Sequence, residues 1–302
     1  MKLVLGHPAS QVIPLWKYMK VEAVMLNAFQ IASSKKLYER AREMGLRELY
    51  GIPPDIEIWL DSGGYQALKK GIALKVEDVT KWYNDLKPDY CISLDNPVGP
   101  NDPKAREKVR LNVSNARTMS KLVDCELLPV FHPVDEDLFL EYLSGYDFSS
   151  YAAVGGLIPR ILTVKNASRK EGLKFLERVR KEFPGLLHAL GLGSSKMIPL
   201  LRTLGYDSAD TQTWRHKAAY GKVMLPFRGE RHITDRRINF GKKRINEDEL
   251  REVEKIALIL GFTIEDLKRD FVKRAIFNAF VIVSSNHLGT INSVTPVPIE
   301  LS

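Results

Sequence analysis

Apolar and polar positions follow two alternating periods along the first 211 residues of the chain. Short apolar runs of β-strand length recur, and amphipathic stretches with a helical period separate them. The eight strand candidates are 2–5, 21–27, 56–60, 89–94, 127–131, 151–155, 186–192 and 206–210. The helix candidates between them are 34–44, 77–86, 102–122, 135–143, 168–182 and 195–204. Strands that alternate with helices predict a parallel sheet with right-handed crossovers.

The number of strand–helix units favours one architecture within this class. About eight units in roughly 210 residues are typical of a closed (β/α)8 TIM barrel, an α/β fold. A doubly wound open sheet is the alternative, because one miscounted strand would change the assignment. The sequence has no GxGxxG after the first strand and no GxxxxGK[ST] anywhere, so it lacks the fingerprints of the common nucleotide-binding folds.

The pattern changes to purely helical towards the C-terminus. Asn246 is a predicted N-cap for a helix that ends at Gly261, and Thr263 begins a second helix with apolar residues at helical spacing. We therefore predict two domains. A catalytic barrel occupies 1–227, and 228–302 holds a basic segment followed by C-terminal helices packed on the barrel.

The composition indicates a soluble globular protein, with 44% apolar and 27% charged residues among 302. No apolar run approaches the ~20 residues of a membrane span, and the N-terminus does not resemble a signal peptide. Cys91 and Cys125 are the two cysteines, a number that predicts no disulfide framework and favours a reducing compartment. We therefore expect a cytoplasmic location, or the host cytoplasm for a viral protein. Two cysteines also argue against a multi-thiolate zinc site, so neither a metal nor a cofactor is expected.

A net charge of +8 and a pI of about 9.3 favour polyanionic partners. The densest basic segment is 228–244, which lacks an apolar period and is predicted to be loop or extended structure. Its positive residues are Arg228, Arg231, Arg236, Arg237, Lys242, Lys243 and Arg244. Contact with phosphates and a solvated surface remain open as interpretations of this segment.

Polar residues stand where the predicted strands end. Asp61, Asp95 and Asp210 stand at the ends of the third, fourth and eighth strands, His132 at the end of the fifth, and the pair Gly155–Gly156 at the end of the sixth. Active sites of TIM barrels lie at this edge of the sheet, and paired glycines let a backbone approach a ligand closely. One such carboxylate is explained by a helix cap, but three on the same rim with a histidine predict an enzyme.

The motifs DSGGYQ, SLDNP, AVGGL, LGLG and GYDSADTQTWRHKAAYG occur in this order between Asp61 and Gly221. Together they resemble the tRNA-guanine transglycosylase superfamily over more than half of the chain. The resemblance implies a TIM-barrel pentosyltransferase that exchanges guanine in nucleic acid for a 7-deazaguanine base such as preQ0. It also implies Asp210 as nucleophile and Asp61 as general acid/base. The residues implied to bind the base are Ser62, Gly64, Tyr65, Asp95, Asn96, His132, Gly155, Gly156 and Leu157.

The sequence departs from this family in two places. The zinc motif CxCxxC is absent, and 214–216 is Trp-Arg-His where family members have Pro-Thr-Arg. From its length we also expect this chain to lack the additional RNA-binding domains of archaeal tRNA enzymes. These features resemble the compact branch that inserts 7-deazaguanines into DNA. Action on tRNA is the alternative, as is a non-catalytic subunit that positions nucleic acid.

The implied chemistry is consistent with the residue types. A carboxylate such as Asp210 suits attack on C1′ through an oxocarbenium-like transition state, and Asp61 would protonate the departing guanine. Asp95 would accept the N1–H and N2–H of a guanine edge, and the backbone of 155–157 would donate to O6. Tyr65 would stack on a base taken out of its helix.

Several assignments remain open in the sequence. Tyr65 is alternatively a core aromatic, His132 a packed histidine, and His188 is interpreted as structural. A generic barrel glycosidase would also use paired carboxylates but would leave the purine-binding set without a role. The residues predicted to bind nucleic acid are Arg215, His216 and Lys217 together with the seven basic residues of 228–244. The expected partners are DNA, or tRNA as the alternative, the free 7-deazaguanine base and a second copy in a homodimer, with no membrane.

Overall fold

The computed structural model describes residues 1–158, 169–235 and 243–286. A parallel sheet of nine strand segments dominates it. These are β1 (Lys2–Gly6), β2 (Ala23–Asn27), β3 (Glu57–Asp61), β4 (Tyr90–Ile92), β5 (Glu126–Leu128), β6 (Val130–Phe131), β7 (Tyr151–Val154), β8 (Leu186–Ala189) and β9 (Ser208–Thr211).

Helices lie between most successive strands, whereas the connection from β1 to β2 holds only a 3-10 turn, Leu15–Lys17. The helices are α1 (Ala28–Ala32), α2 (Lys35–Met44), α3 (Leu46–Tyr50), α4 (Gly64–Lys69), α5 (Val76–Leu86), α6 (Ala105–Met119), α7 (Glu136–Gly145), α8 (Arg169–Glu182) and α9 (Ile198–Thr203). Those that follow β9 are α10 (Thr213–Ala219), α11 (Glu247–Ile259), α12 (Ile264–Arg269) and α13 (Phe271–Asn286).

The sheet closes on itself at Pro129. Its strand order runs β5-β4-β3-β2-β1-β9-β8-β7-β6, and only Pro129 separates its first segment from its last. Proline has no amide hydrogen to donate to a ladder, but the Pro129 carbonyl still accepts from Ala153 N at 2.8 Å. Residues 126–131 therefore act as one interrupted strand. The predicted (β/α)8 barrel is confirmed, and the open sheet is excluded.

Buried side chains from most of the strands form one cluster. It includes Val4, Trp59 and Leu128, and the Trp59 ring stacks on Tyr90 with centroids 4.5 Å apart. The edge of Tyr151 meets the same indole at 5.8 Å. Because a filled barrel is a packed core and not a pore, a substrate can reach the barrel only at its ends.

The chain divides into two compact units. The first comprises 1–12, 22–192 and 201–210, and the second comprises 13–21, 193–200 and 211–302. The first unit is the barrel. The predicted domain boundary after residue 227 stays a prediction. Over the ranges that the structure describes, no helix combines the length and apolar character needed to cross a bilayer.

In the second unit α13 packs on α10 and on a hairpin of two antiparallel strands, β10 (Lys222–Leu225) and β11 (Gly229–His232). The fully buried Asn278 of α13 joins them. Its amide nitrogen donates to Trp214 O at 3.1 Å and to Lys222 O at 3.0 Å, and its oxygen accepts from Met224 N at 2.7 Å. One side chain thus satisfies three backbone groups that burial would otherwise leave unpaired.

The C-terminal helices differ from the prediction in one respect. The single helix expected after Thr263 is divided into α12 and α13 by Asp270, whose backbone is extended (φ −95°, ψ 119°). The Asp270 carboxylate accepts from Val272 N and Lys273 N at 2.6 and 3.1 Å, so it caps the start of α13. An aspartate within an apolar helical period does not by itself indicate such a break. The basic segment contains the strand β11, which agrees with the expectation of loop or extended structure.

The prediction from the cysteine count is wrong. Cys91 and Cys125 form a disulfide with Cα atoms 6.3 Å apart. Cys91 lies in β4, and Cys125 directly precedes β5, the parallel neighbour of β4. The pairing arises from strand adjacency, which a count of cysteines does not show. It also removes the support for a reducing compartment.

This crosslink closes a long loop, since the two cysteines are 34 positions apart in the sequence. By loop-closure entropy we predict that reduction lowers the free energy of unfolding by about 2–4 kcal/mol. Denaturant unfolding with and without dithiothreitol measures the difference. The double variant Cys91→Ser/Cys125→Ser is the control and should not respond to the reductant. Equal stability of the wild type under both conditions would contradict the prediction.

Candidate active site

Three carboxylates meet at the carboxyl end of the barrel. Asp61 is the last residue of β3, Asp95 follows β4, and Asp210 lies near the end of β9. The charges of both Asp95 and Asp210 raise the pKa of Asp61, which places each of these two carboxylates within electrostatic reach of Asp61. The structure therefore brings together the three acidic residues that the strand ends indicated.

Asp61 has the most perturbed protonation of the three. Burial is the largest cause that raises its pKa, followed by the charges of Asp95 and Asp210, and together they bring it to about 7. Hydrogen bonds from the Gly63 backbone and the Asn27 side chain oppose this rise. A carboxyl group with this pKa is present in both protonation states near neutral pH, which suits a general acid/base.

Asn27 fixes the orientation of Asp61 from the neighbouring strand. It ends β2 directly opposite Asp61 in the parallel register, and its Nδ2 donates to Asp61 Oδ2 at 2.9 Å. The Asn27 Oδ1 accepts from Gln30 N at 2.9 Å and so caps α1. Gly63 (φ +79°) is needed here, because a Cβ at this position would lie 2.5 Å from Asn27 Oδ1.

His132 contacts Asp95 directly. Its Nε2 lies 2.6 Å from Asp95 Oδ2, and the residue is only 1% exposed. The loop that carries Asp95 is tied to α6, since Asn96 N donates to Asn112 Oδ1 at 2.7 Å and Asn115 Nδ2 donates to Leu94 O at 3.1 Å. His132 therefore lies behind Asp95 and orients its carboxylate.

One oxygen of Asp210 is held by two donors. Its Oδ1 accepts from Gly191 N at 2.6 Å and lies 3.2 Å from Nε2 of the fully buried His188. The interpretation of His188 as structural left out this contact with the candidate nucleophile. His188 stands in the middle of a strand, and its sequence position does not show that it points towards Asp210 on β9.

Tyr65 lies on the open side of α4. Its side chain is 51% exposed, so the alternative of a core aromatic is wrong, and the Lys69 ammonium lies 4.3 Å from its ring centroid. Ser62 is buried, and its hydroxyl accepts from Gly64 N at 3.3 Å. A Cβ on Gly64 would lie 3.1 Å from the Asp95 carbonyl oxygen, so this second glycine allows close approach of the two loops.

The loop after β7 carries the residues predicted to contact the base through their backbone amides, Gly155, Gly156 and Leu157. Gly155 N donates to Phe131 O at 2.9 Å, so its amide is already used in the sheet and is not free to contact a base. The prediction for Gly155 is corrected in this respect. Gly156 and the buried Leu157 remain candidates for the backbone contact. Gly156 has φ +69°, and a Cβ there would lie 2.8 Å from His132 Nδ1.

The residues predicted to bind nucleic acid after the nucleophile lie on α10. The Lys217 ammonium donates to Glu230 at 2.6 Å, and the Arg215 guanidinium lies 5.1 Å from the Phe271 ring centroid. Burial, followed by the charges of Arg215 and Lys217, lowers the pKa of His216. The lowered pKa leaves His216 uncharged at neutral pH, so the positive charge of this turn comes from Arg215 and Lys217, and the Lys217 charge is already paired with Glu230.

The basic segment is less available than its composition suggests. Arg231 is only 6% exposed, and its Nε lies 2.8 and 3.0 Å from the two Glu249 carboxylate oxygens. The prediction that Arg231 contacts phosphate is therefore wrong. Such contact would leave the buried Glu249 carboxylate without its ion-pair partner. Arg228 pairs with Glu252 at the surface. Lys243 and Arg244 are exposed, whereas Arg236, Arg237 and Lys242 lie outside the described residues.

Comparison with known proteins finds relatives of this chain at low sequence identity. No family model matches the chain. A tRNA-guanine(15) transglycosylase of Nanoarchaeum equitans is 26% identical over 234 residues, which cover 74% of this chain and 54% of that protein. The enzyme of the same name from Pyrococcus abyssi is 23% identical, with 76% and 38% covered. These similarities support the tRNA-guanine transglycosylase superfamily.

A viral protein is also similar to the chain. Uncharacterized protein 306 of Sulfolobus islandicus rod-shaped virus 1 is 28% identical over 193 residues, covering 60% of this chain and 56% of the viral protein. The chain thus spans about half or less of the length of these three relatives. At this identity the names support a guanine transglycosylase in general.

The sequence lacks the zinc motif CxCxxC of the superfamily that its relatives indicate. Among the residues for which side chains are described, no three His, Cys, Asp or Glu side chains are grouped so that they could hold a metal ion.

The raised pKa of Asp61 has a consequence for stability. An aspartate in the unfolded chain has a pKa of about 3.9, so between this value and about 7 the folded protein holds a proton that the unfolded chain has lost. Wild-type stability therefore falls as the pH rises through this window. The variant Asp61→Asn lacks this effect. We predict that it gains about 1–3 kcal/mol over the wild type above pH 7, after allowance for partial solvent screening.

Thermal and denaturant unfolding between pH 4 and 8 measure this gain. Asp102→Asn is a control of opposite sign, because a hydrogen bond from Lys108 lowers the pKa of Asp102, so this variant should lose stability at neutral pH. A constant difference between Asp61→Asn and the wild type over the whole pH range would contradict the assignment.

Proposed function

We propose that the chain is a pentosyltransferase that exchanges guanine in nucleic acid, with DNA favoured, for a 7-deazaguanine base such as preQ0. The observation that carries the proposal is the pairing of two unlike carboxyl groups. Asp61 has a pKa of about 7, whereas Asp210 has one oxygen bound by the Gly191 amide and His188. One group is suited to proton transfer and the other to nucleophilic attack.

In the first half-reaction a carboxylate oxygen of Asp210 attacks C1′ of the target nucleotide. The C1′–N9 bond breaks, and its electron pair stays with the departing guanine. Asp61 gives its proton to this guanine and becomes a carboxylate. The products are free guanine and a covalent ester-type bond between Asp210 and C1′, with the configuration at C1′ inverted.

In the second half-reaction the incoming base takes the place of guanine. The Asp61 carboxylate removes the proton from N9, whose electron pair attacks C1′, and the bond to Asp210 breaks with release of its carboxylate. A second inversion restores the β-linkage. Asp61 regains the proton that it lost, so each turnover leaves the enzyme unchanged.

The remaining rim residues suit a purine edge. Asp95 is oriented by His132 (2.6 Å) and would accept N1–H and N2–H of guanine or a 7-deazaguanine. The Gly156 and Leu157 amides are the candidate donors to O6. Tyr65 is half exposed on α4, where its ring would stack on a base taken out of its helix.

Two sequence features support DNA as the polymer. The chain has only two cysteines and hence no zinc motif, and 214–216 is Trp-Arg-His in place of the family's Pro-Thr-Arg. A specific observation favours tRNA as the second candidate, since the archaeal relatives are named for tRNA. A non-catalytic subunit is a weaker alternative, because Asp210 and Asp61 are both present and both in contact with protein hydrogen-bond donors.

Base exchange with each polymer tests the proposal. Purified chain is incubated with guanine-containing duplex DNA or with unmodified tRNA, in the presence of labelled preQ0 or guanine. We expect incorporation of label into DNA. Incorporation into tRNA alone would refute the choice of DNA, and no incorporation into either polymer would refute the transglycosylase.

The variant Asp210→Asn is the matched control, because an amide of the same shape is a poor nucleophile. It should abolish exchange, and it should also remove the slow-migrating covalent adduct that wild type gives on a denaturing gel without incoming base. Asp61→Asn should slow exchange by roughly 10²–10⁴ but still form some adduct. An adduct that persists in Asp210→Asn would assign the nucleophile to another residue.

A further inference from the structure

A chain of buried polar side chains crosses three strands of the barrel and ends at Asp210. The Tyr151 hydroxyl on β7 lies 2.6 Å from Ser208 Oγ on β9. Ser208 Oγ lies 2.6 Å from His188 Nδ1 on β8, and His188 Nε2 lies 3.2 Å from Asp210 Oδ1. No step in this chain exceeds hydrogen-bond distance.

The surroundings of this chain are apolar. His188 and Ser208 are fully buried, and the His188 ring lies 4.9 Å from the ring of Trp59 in the barrel core. Apolar side chains would fill this position at lower desolvation cost. A buried polar network is tolerated when its members satisfy one another, and here its last contact is the candidate nucleophile.

Only one direction of hydrogen bonding suits an ionised Asp210. Its carboxylate can only accept, so His188 Nε2 must carry a hydrogen. In a neutral imidazole Nδ1 is then an acceptor, and the Ser208 hydroxyl donates to it. Ser208 Oγ in turn accepts from Tyr151, a phenol whose pKa burial raises, which keeps the hydrogen on the Tyr151 oxygen. The Tyr151 hydroxyl thus makes Ser208 available as a donor, and the Ser208 hydroxyl makes His188 Nδ1 an acceptor.

We infer that His188 is a positioning residue that selects the attacking oxygen of Asp210. Its Nε2–H and the Gly191 amide (2.6 Å) both bind Oδ1, which leaves Oδ2 to attack C1′. Ser208 and Tyr151 hold His188 in the Nε2–H tautomer. This inference rests on the proposed function, in which Asp210 is the nucleophile.

The inference predicts which kinetic constant changes when His188 is replaced. A carboxylate that rotates about its Cβ–Cγ bond presents the attacking oxygen less often, and small misplacement of a reacting group costs up to ~10²-fold in rate. The polymer and the base do not contact His188, since it is fully buried. The change should therefore appear in kcat for base exchange and not in KM.

Two amide variants of His188 separate positioning from packing. The amide nitrogen of His188→Gln falls near the place of Nε2 and keeps a donor to Asp210. The amide of His188→Asn falls near Nδ1, so it keeps the contact with Ser208 but loses the donor. We expect kcat to fall about 10–100-fold in His188→Asn with KM within about twofold, and His188→Gln to recover most of the rate.

Equal losses of kcat in the two variants, matched by equal losses of thermal stability, would overturn the inference in favour of a packing role. Wild-type kcat in both variants would overturn it as well. Ser208→Ala gives a third readout if His188→Asn does not fold. It should lower kcat without removing any group that contacts Asp210. An unchanged kcat would contradict a role for the hydrogen bonds from Tyr151 and Ser208 to His188.

A measurement without substrate distinguishes failure of this inference from failure of the proposed function. Imidazole ¹⁵N NMR of the wild-type protein shows which His188 nitrogen carries the hydrogen, with His188→Gln used to assign the signals. We expect a protonated Nε2 and an unprotonated Nδ1 at neutral pH, and a mixture of tautomers in Ser208→Ala. A wild-type signal from unprotonated Nε2 would overturn the inference, whether or not the chain exchanges bases.

Discussion

Mutual repulsion among three carboxylates is the constraint on which the rest of the site depends. Asp61, Asp95 and Asp210 share one partly desolvated rim, where like charges are costly. Each carboxylate has one buried polar side chain as a hydrogen-bond partner. Each of these partners lies on another strand or at its end. The pairs are Asp61 with Asn27 (2.9 Å), Asp95 with His132 (2.6 Å) and Asp210 with His188 (3.2 Å). The remaining repulsion is relieved because Asp61 takes up a proton near neutral pH.

The partners differ in kind, and this difference separates the roles of the carboxylates. Asp61 accepts hydrogen bonds from the Asn27 side chain and the Gly63 backbone, which together do not cancel the effects of burial and two neighbouring charges on its pKa. Asp210 also accepts from a backbone amide, but its second partner is a histidine, and both partners contact the same oxygen. One carboxyl group is consequently set up to exchange a proton, and the other to present a free oxygen. A closed barrel makes this possible, because the carboxyl ends of its parallel strands meet at one edge.

The sequence predicts the barrel and its acidic rim well, for a physical reason. Strand and helix periods are local properties, and a carboxylate directly after a strand needs only the direction of a parallel sheet to be placed. The partners of these carboxylates are not local. Asn27 has the sequence signature of a helix cap, His188 that of a strand residue, and the disulfide depends on adjacency of β4 and β5. Register and side-chain direction between strands determine these contacts, and a single sequence carries neither.

The most direct test of this account is the titration of Asp61 itself. Carboxyl ¹³C NMR of the labelled protein, with Asp61→Asn used for assignment, gives its apparent pKa between pH 3 and 9. The account predicts a value of about 7 in the wild type and a lower value in Asp95→Asn, where one neighbouring charge is removed. A wild-type value near the ordinary ~4 of an aspartate, unchanged in Asp95→Asn, would contradict it.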